Sequence, residues 1–258
     1  MHGSWYCMAE CLERALRETL AQLQPAFRPK ATQHRIPLGL LLLSRQQLTA
    51  AQLRIALDAQ KSAGHGRIGE WLQSLGFATE QQVVAALARQ WSCPVLRIHP
   101  APLVSSRVPD IPTPLLDSFR MIPVDFVEAT STLHIAFGEG IDYSVLYAIE
   151  RMLDCHTQAC LCSQDVLRSS LAAISEQRRR TEIVFDRVAD ALEFARIIRS
   201  YATKVAASEI RIALCGSCIW VRLERTAPTA LNLIFRIVPE DVERFSVSPP
   251  SASALPAS

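Results

Sequence analysis

Two stretches of this chain carry the same kinds of side chain in the same order, and those side chains have the makings of a ligand site. Pro37 to Gln60 reads PLGLLLLSRQQLTAAQLRIALDAQ, and Arg67 to Gln90 reads RIGEWLQSLGFATEQQVVAALARQ. Each copy opens on an aliphatic residue and a glycine, Leu38 and Gly39 in the first, Ile68 and Gly69 in the second. Each then places an aliphatic residue at Leu53 or Val83, a leucine at Leu57 or Leu87, and a closing glutamine at Gln60 or Gln90. Arg67 offers a planar fork of parallel N–H donors to a pair of acceptors. A glycine at a helix start lets backbone come close to a ligand, and the free N–H groups there favour phosphate oxygens. Leucines make flat apolar walls, and a helix-borne glutamine both donates and accepts.

Taken singly, each of these residues has an ordinary reading. The leucines and Val83 are core residues of any helical hairpin, the glycines are helix entries, Arg67 is a surface arginine, and the glutamines are solvated helix ends. Their coincidence in two registered copies is what points to a ligand. The first copy departs from the second at two places: Pro37 stands opposite Arg67, and Gln46 stands opposite Gly76. Arg35, two residues upstream of Pro37, is the basic group available to replace the missing fork.

The elements that must position these groups follow from pattern. Residues 5–24 place Leu12, Leu16, Leu20 and Leu23 at helical intervals, which predicts an amphipathic helix ended by Pro25 and Pro29. Two helical hairpins follow, with Thr49 and Thr79 at the N-cap positions of their second helices. Residues 94–114 are proline-rich and read as a connector with one short strand at Val95–Ile98. Strands are then expected at Met121–Val127, Thr132–Phe137 and Thr157–Leu161, and helices at Ser144–Leu153 and Asp165–Ile174. Ser175–Thr181 reads as a polar hinge and Phe185–Lys204 as a helix. Glu209–Leu214 and Ile219–Glu224 form a hairpin turning at Gly216 and Ser217. The Ser- and Pro-rich tail beyond Val247 is expected to be disordered.

The expected fold is therefore α+β. A helical tandem-hairpin repeat is followed by a small α/β subdomain and then by a small, degenerate helix-plus-hairpin domain. The corresponding segments are 1–33 (helix and linker), 34–92 (repeat), 93–175 (α/β part of the same domain), 176–184 (linker), 185–240 (small domain) and 241–258 (tail).

Composition narrows the function class. At 258 residues, with 49% hydrophobic and 20% charged side chains, the chain can bury one good core and a second small one. A net charge of +2, from 27 basic and 25 acidic residues, gives no broad footprint for duplex nucleic acid. Glu10 and Glu13 interrupt the first apolar stretch, so no secretory signal is expected, and Ile36–Leu43 is too short to span a bilayer. A cytoplasmic protein with mostly reduced thiols is the expectation. Of eight cysteines, Cys155, Cys160, Cys162, Cys215 and Cys218 are the grouping worth testing for metal. Cys160 and Cys162 lack zinc-knuckle spacing, and no metal or cofactor is expected. No GxxxxGK[ST] phosphate loop occurs, and ATP hydrolysis is not expected.

The tandem copies resemble the repeat of the MshEN domain, the N-terminal regulatory module of bacterial secretion and pilus assembly ATPases. In that family each copy begins Arg, Leu, Gly and ends in Gln about two dozen residues later. Phe119–Val124 (FRMIPV) and Leu133–Asp142 (LHIAFGEGID) resemble the family's following strands and acidic loop, so the similarity spans about residues 30–175. The resemblance implies binding of cyclic di-GMP. The implied site comprises Arg35, Leu38, Gly39, Leu53, Leu57, Gln60, Arg67, Ile68, Gly69, Glu70, Val83, Leu87, Gln90 and Glu139. Guanine O6 and N7 suit an arginine fork, and Glu139 suits the guanine N1–H and amino group. Ala207–Leu223 (ASEIRIALCGSCIWVRL) weakly resembles the start of the ATPases' next domain, with Arg211 in place of a histidine.

Two functions remain open from the sequence. One is a non-enzymatic cyclic di-GMP receptor acting on a secretion, pilus or polysaccharide-export machine, peripheral to the inner membrane through that partner. The other is an adaptor that keeps the fold, has lost the nucleotide and works by protein docking. Arg67, Gly69, Gly76 and Gln90 favour the first, and Pro37 and Gln46 the second.

Overall fold

A computed structural model describes residues 10–11, 13–16, 18, 35–96, 108–178, 182–187, 190–225 and 230–237. Most of the expected helix at 5–24, the residues after Leu96 in the expected Val95–Ile98 strand, Arg179–Thr181 of the expected hinge and the tail beyond Val247 lie outside them. The chain divides into one unit spanning Ala31–Arg179 and a second formed by Met1–Lys30 with Arg180–Ser258.

The repeat folds as two hairpins, α1 (Leu38–Ser44) with α2 (Ala50–Ala63) and α3 (Ile68–Ser74) with α4 (Glu80–Trp91). Thr49 and Thr79 cap α2 and α4 as their sequence positions require. Each threonine Oγ1 accepts from the backbone N of the glutamine three residues on, Gln52 or Gln82, whose side chain accepts from the threonine N in return. Each box satisfies two helix-end donors and contributes about 1 kcal/mol.

The short helix of each copy packs on the long helix of the other, α1 on α4 and α2 on α3. Equivalent residues meet in one core: Leu42 with Leu72, Ala56 with Ala86, Leu48 with Ala78. Two reciprocal hydrogen bonds tie the copies together. Gln60 Nε2 donates to Gly66 O at 2.8 Å, and Gln90 Nε2 donates to Ile36 O at 2.6 Å. Each glutamine thus holds the residue that precedes the other copy's opening position.

The two glycines at the helix starts are buried for packing. A Cβ on Gly39 would lie 2.7 Å from Leu53 Cδ1, and one on Gly69 would lie 3.1 Å from Val83 Cγ1. The turn after the short helix needs left-handed backbone in both copies, supplied by Gly76 at φ +70 and by Gln46 at φ +57. Gln46 adopts this conformation at a cost of about 1–2 kcal/mol. Gln46→Gly is therefore expected to stabilise the unit by about 0.5–1 kcal/mol, the strain relieved less the extra backbone entropy of glycine. Gly76→Gln should do the reverse. Urea midpoints of the two variants check both signs, and a lower midpoint for Gln46→Gly would refute the argument.

After α5 (Thr113–Ser118), strands β1 (Met121–Val127), β2 (Thr132–Phe137) and β3 (His156–Leu161) form a sheet in that order. β1 and β2 are antiparallel, with a bulge between Pro123 and Asp125, and β2 and β3 are parallel across the crossover helix α6 (Tyr143–Leu153). Of the expected Val95–Ile98 strand, the described part is an isolated parallel bridge between Val95 and Leu161. Helix α7 (Gln164–Arg178) packs on β1 and α5. It runs into the segment expected to be a hinge.

In the second unit, β4 (Glu182–Phe185), α8 (Ala191–Lys204), β5 (Glu209–Cys215), β6 (Cys218–Glu224) and β7 (Leu231–Arg236) build a sheet of order β4-β7-β6-β5 with α8 packed on it. The helix expected from Phe185 is corrected here. Phe185 ends a strand and stacks on Phe235 at 4.7 Å, while the helix starts at Ala191 behind Asp190, whose Oδ1 accepts from Glu193 N at 2.7 Å. Apolar residues just ahead of a helical period blur into it, whereas the cap marks the physical start. β7 had no counterpart in the sequence reading, because Asn232 to Phe235 are all buried and show no alternation. From the N-terminal helical residues, Leu16 joins this core and Glu13 Oε1 pairs with Arg199 Nη1 at 2.6 Å.

Candidate functional site

Arg67 stands at the N-cap of α3 in extended backbone, φ −100 and ψ 153. An arginine side chain has no acceptor, so half of a capping box is possible: Glu70 Oε2 accepts from Arg67 N at 3.0 Å. In the first copy Pro37 has no N–H to satisfy, and Leu40 replaces Glu70. The loss of the arginine and the loss of the carboxylate are thus one change.

The Arg67 guanidinium reaches across to the loop after β2, where its Nε meets Glu139 Oε2 at 2.9 Å. The arginine side chain is 68% exposed and the glutamate 17%. From its other side Glu139 Oε1 faces Arg120 Nε at 3.7 Å. Arg120 adopts left-handed backbone, φ +51, between α5 and β1, and its carbonyl accepts from Gly138 N at 3.0 Å. Its Nη2 donates to Gln164 Oε1 at 2.6 Å, and Gln164 Nε2 donates to Gly138 O at 2.9 Å. Gln164 N donates to Glu80 Oε1, on α4, at 2.6 Å. A hydrogen-bonded frame around the acidic loop thereby joins the second repeat copy to the sheet.

The same loop touches the end of α4, because Gly140 lies directly against the Trp91 ring. Arg35 stacks its guanidinium on that ring, Cζ 3.4 Å from the centroid, and Tyr143 lies 6.3 Å away on the α6 side. A cation on an indole face contributes about 0.5–2 kcal/mol. Arg67, through Glu139, and Arg35, through Trp91, therefore both meet one loop, Gly138–Gly140.

At the end of α2, an open depression of about 470 Å³ is lined by Leu57, Asp58, Gln60, Lys61, Gly64, His65 and Gly66. That volume suits a small ligand. By the repeat register, Trp91 and Arg35 occupy the places of Lys61 and His65 in the other copy, and there they stack on each other. The two halves are pseudo-symmetric in backbone and unlike in surface.

The expected site residues sort by placement. Arg35, Arg67, Glu70 and Glu139 surround the acidic loop or the start of α3. Leu57 is exposed in the depression, and Ile68, Leu53 and Leu87 are half-buried. Leu38, Gly39, Gly69 and Val83 are buried and shape the hairpins from beneath. Gln60 and Gln90 spend their amide N–H on the opposite copy's carbonyls. The sequence reading missed Arg120, Gln164 and Trp91. Arg120 sat inside the quoted FRMIPV segment and Trp91 directly followed Gln90, but neither repeats between the copies.

Burial pushes the thiols of Cys155 and Cys160 up to about 11 and that of Cys162 up to about 12. They stay protonated at neutral pH, which disfavours nucleophilic attack. Cys215 and Cys218 face each other across the β5–β6 turn.

No family model and no curated protein sequence matches this chain. Among solved structures, MshE with cyclic di-GMP shares 31% identity at a TM-score of 0.46, covering 54% of this chain and 99% of that one. The N-terminal domain of XpsE shares 16% identity in each of two crystal forms. The first has a TM-score of 0.42 and covers 55% of this chain and 97% of that one. The second has a TM-score of 0.32 and covers 55% and 98%. With 31% of residues identical over practically the whole of the MshE chain, and with the tandem repeat and acidic loop in place, this protein belongs, through just over half of its length, to the family of MshEN domains.

Proposed function

We propose that this chain is a receptor for cyclic di-GMP that reports ligand occupancy to a protein partner and catalyses no reaction itself. The observation that carries this reading is the Arg67–Glu139 pair, a guanidinium fork and a carboxylate held 2.9 Å apart beside the repeat. Together they match the acceptor and donor edges of a guanine. The solved MshE structure, at 31% identity, contains cyclic di-GMP. We infer a partner in a secretion, pilus or polysaccharide-export machine, with the chain acting on the cytoplasmic side of the inner membrane. Among the described residues no helix is long and apolar enough to cross a membrane.

Pro37 and the exposed Leu40 favour the second reading, an adaptor that has lost the nucleotide. Calorimetric titration with cyclic di-GMP, repeated in excess GTP, separates the two. Saturable binding that GTP does not displace is the expected result. No heat up to millimolar ligand would leave the adaptor reading in possession.

A further inference from the structure

Arg120 makes its contacts unevenly. Its Nη2 is held by Gln164 at 2.6 Å, while its Nε is shut off from solvent and makes no hydrogen bond, with Glu139 Oε1 3.7 Å away. A shielded donor on a charged group without a good acceptor is costly, and proteins keep such groups where another requirement holds them. The left-handed backbone at Arg120, φ +51, adds a second local cost.

Charge points the same way. The single carboxylate of Glu139 lies between two guanidiniums, Arg67 at 2.9 Å and Arg120 at 3.7 Å, so the two arginines share one ion-pair partner there. Both arginines face Glu139 with Nε, and Arg120 Nη2 is bonded to Gln164. The Arg120 side chain is 43% exposed, open enough to reach a ligand.

We propose that Arg120 is a ligand-binding arginine that holds one phosphodiester group of the cyclic dinucleotide, beside the guanine met by Arg67 and Glu139. The α/β part would thereby return the positive charge that Pro37 removed from the first repeat copy. A phosphodiester supplies a second anion where two guanidiniums share one carboxylate, and its oxygens accept charge-assisted bonds from the Arg120 guanidinium. This inference rests on the receptor reading. It goes further in drawing the ligand contact from outside the tandem repeat, on the side of Glu139 opposite Arg67.

The test is titration of the full-length protein with cyclic di-GMP at two or more salt concentrations, for the wild type, Arg120→Ala, Arg120→Lys and Arg67→Ala. Arg120→Ala is expected to bind about ten- to a hundredfold more weakly. Its affinity should also vary less with salt than that of the wild type, because a phosphate contact is screened and a purely structural role is not. Arg120→Lys should recover the salt dependence and part of the affinity, since it keeps the charge and loses the fork. If Arg120→Ala does not fold, Arg120→Lys alone decides, and wild-type affinity in it overturns the proposal. Wild-type affinity and salt dependence in folded Arg120→Ala, with Arg67→Ala impaired, would overturn the Arg120 contact and leave the receptor reading standing. A wild type that binds nothing would overturn both.

Discussion

Arg67→Ala is expected to weaken binding of cyclic di-GMP by about 1–3 kcal/mol, roughly 5- to 150-fold. The side chain is exposed to a ligand, yet its place is determined at both ends: Glu70 holds its backbone N–H, and Glu139 holds its Nε. Truncation removes the fork and also takes from Glu139 its nearest partner, so the carboxylate loses its orientation at the same time. The reverse substitution on the first copy is feasible. Pro37 has φ −55 and ψ 141, and Arg67 has φ −100 and ψ 153, both within the extended region that an arginine adopts without strain. Pro37→Arg should tighten binding. It also introduces an N–H that Leu40 cannot cap, so Pro37→Arg combined with Leu40→Glu should do better than either alone. Calorimetry on these variants, with folding verified by circular dichroism, decides the matter. If folded Arg67→Ala binds as tightly as the wild type, the site lies elsewhere.

Leu72→Ala should cost about 2–5 kcal/mol of stability in the repeat-bearing unit. Leu72 is 0% exposed and lies in the shared core of the two copies with its counterpart Leu42, also 0% exposed. Because each short helix packs on the other copy's long helix, a cavity at this point loosens both hairpins together. Leu57→Ala offers the contrast. That leucine is 46% exposed on the wall of the depression, so its loss should cost well under 1 kcal/mol of stability while lowering ligand affinity. Hydrogen exchange of the α1–α4 amides reads the stability of each variant. A loss below about 1 kcal/mol for Leu72→Ala would mean that the copies do not share one cooperative core.

Local rules made much of this molecule legible in its residues. Threonine caps, the two registered copies and the strands at Met121 and Thr132 follow from spacing and from short-range hydrogen bonding, which act over a few residues and leave a periodic trace. The turn at Gly216 is legible for the same reason. The reading failed at Phe185 because an apolar residue just ahead of α8 blurs into the helical period, and in β7 because four consecutive buried residues leave no alternation.

The tertiary structure alone decided which groups meet. Gln90 caps the carbonyl of a residue 54 positions away, Gln164 holds Arg120 across 44, and the same glutamine reaches Glu80 across 84. The repeat pattern named Gln60 and Gln90 but not their use, because their partners depend on each short helix crossing to the other copy. The family resemblance likewise named Arg35 without Trp91, and Glu139 without Arg120. Pairings of that range are set by how the copies cross and by where the β2 loop lands, and both are properties of the packed core. No spacing along the chain records them.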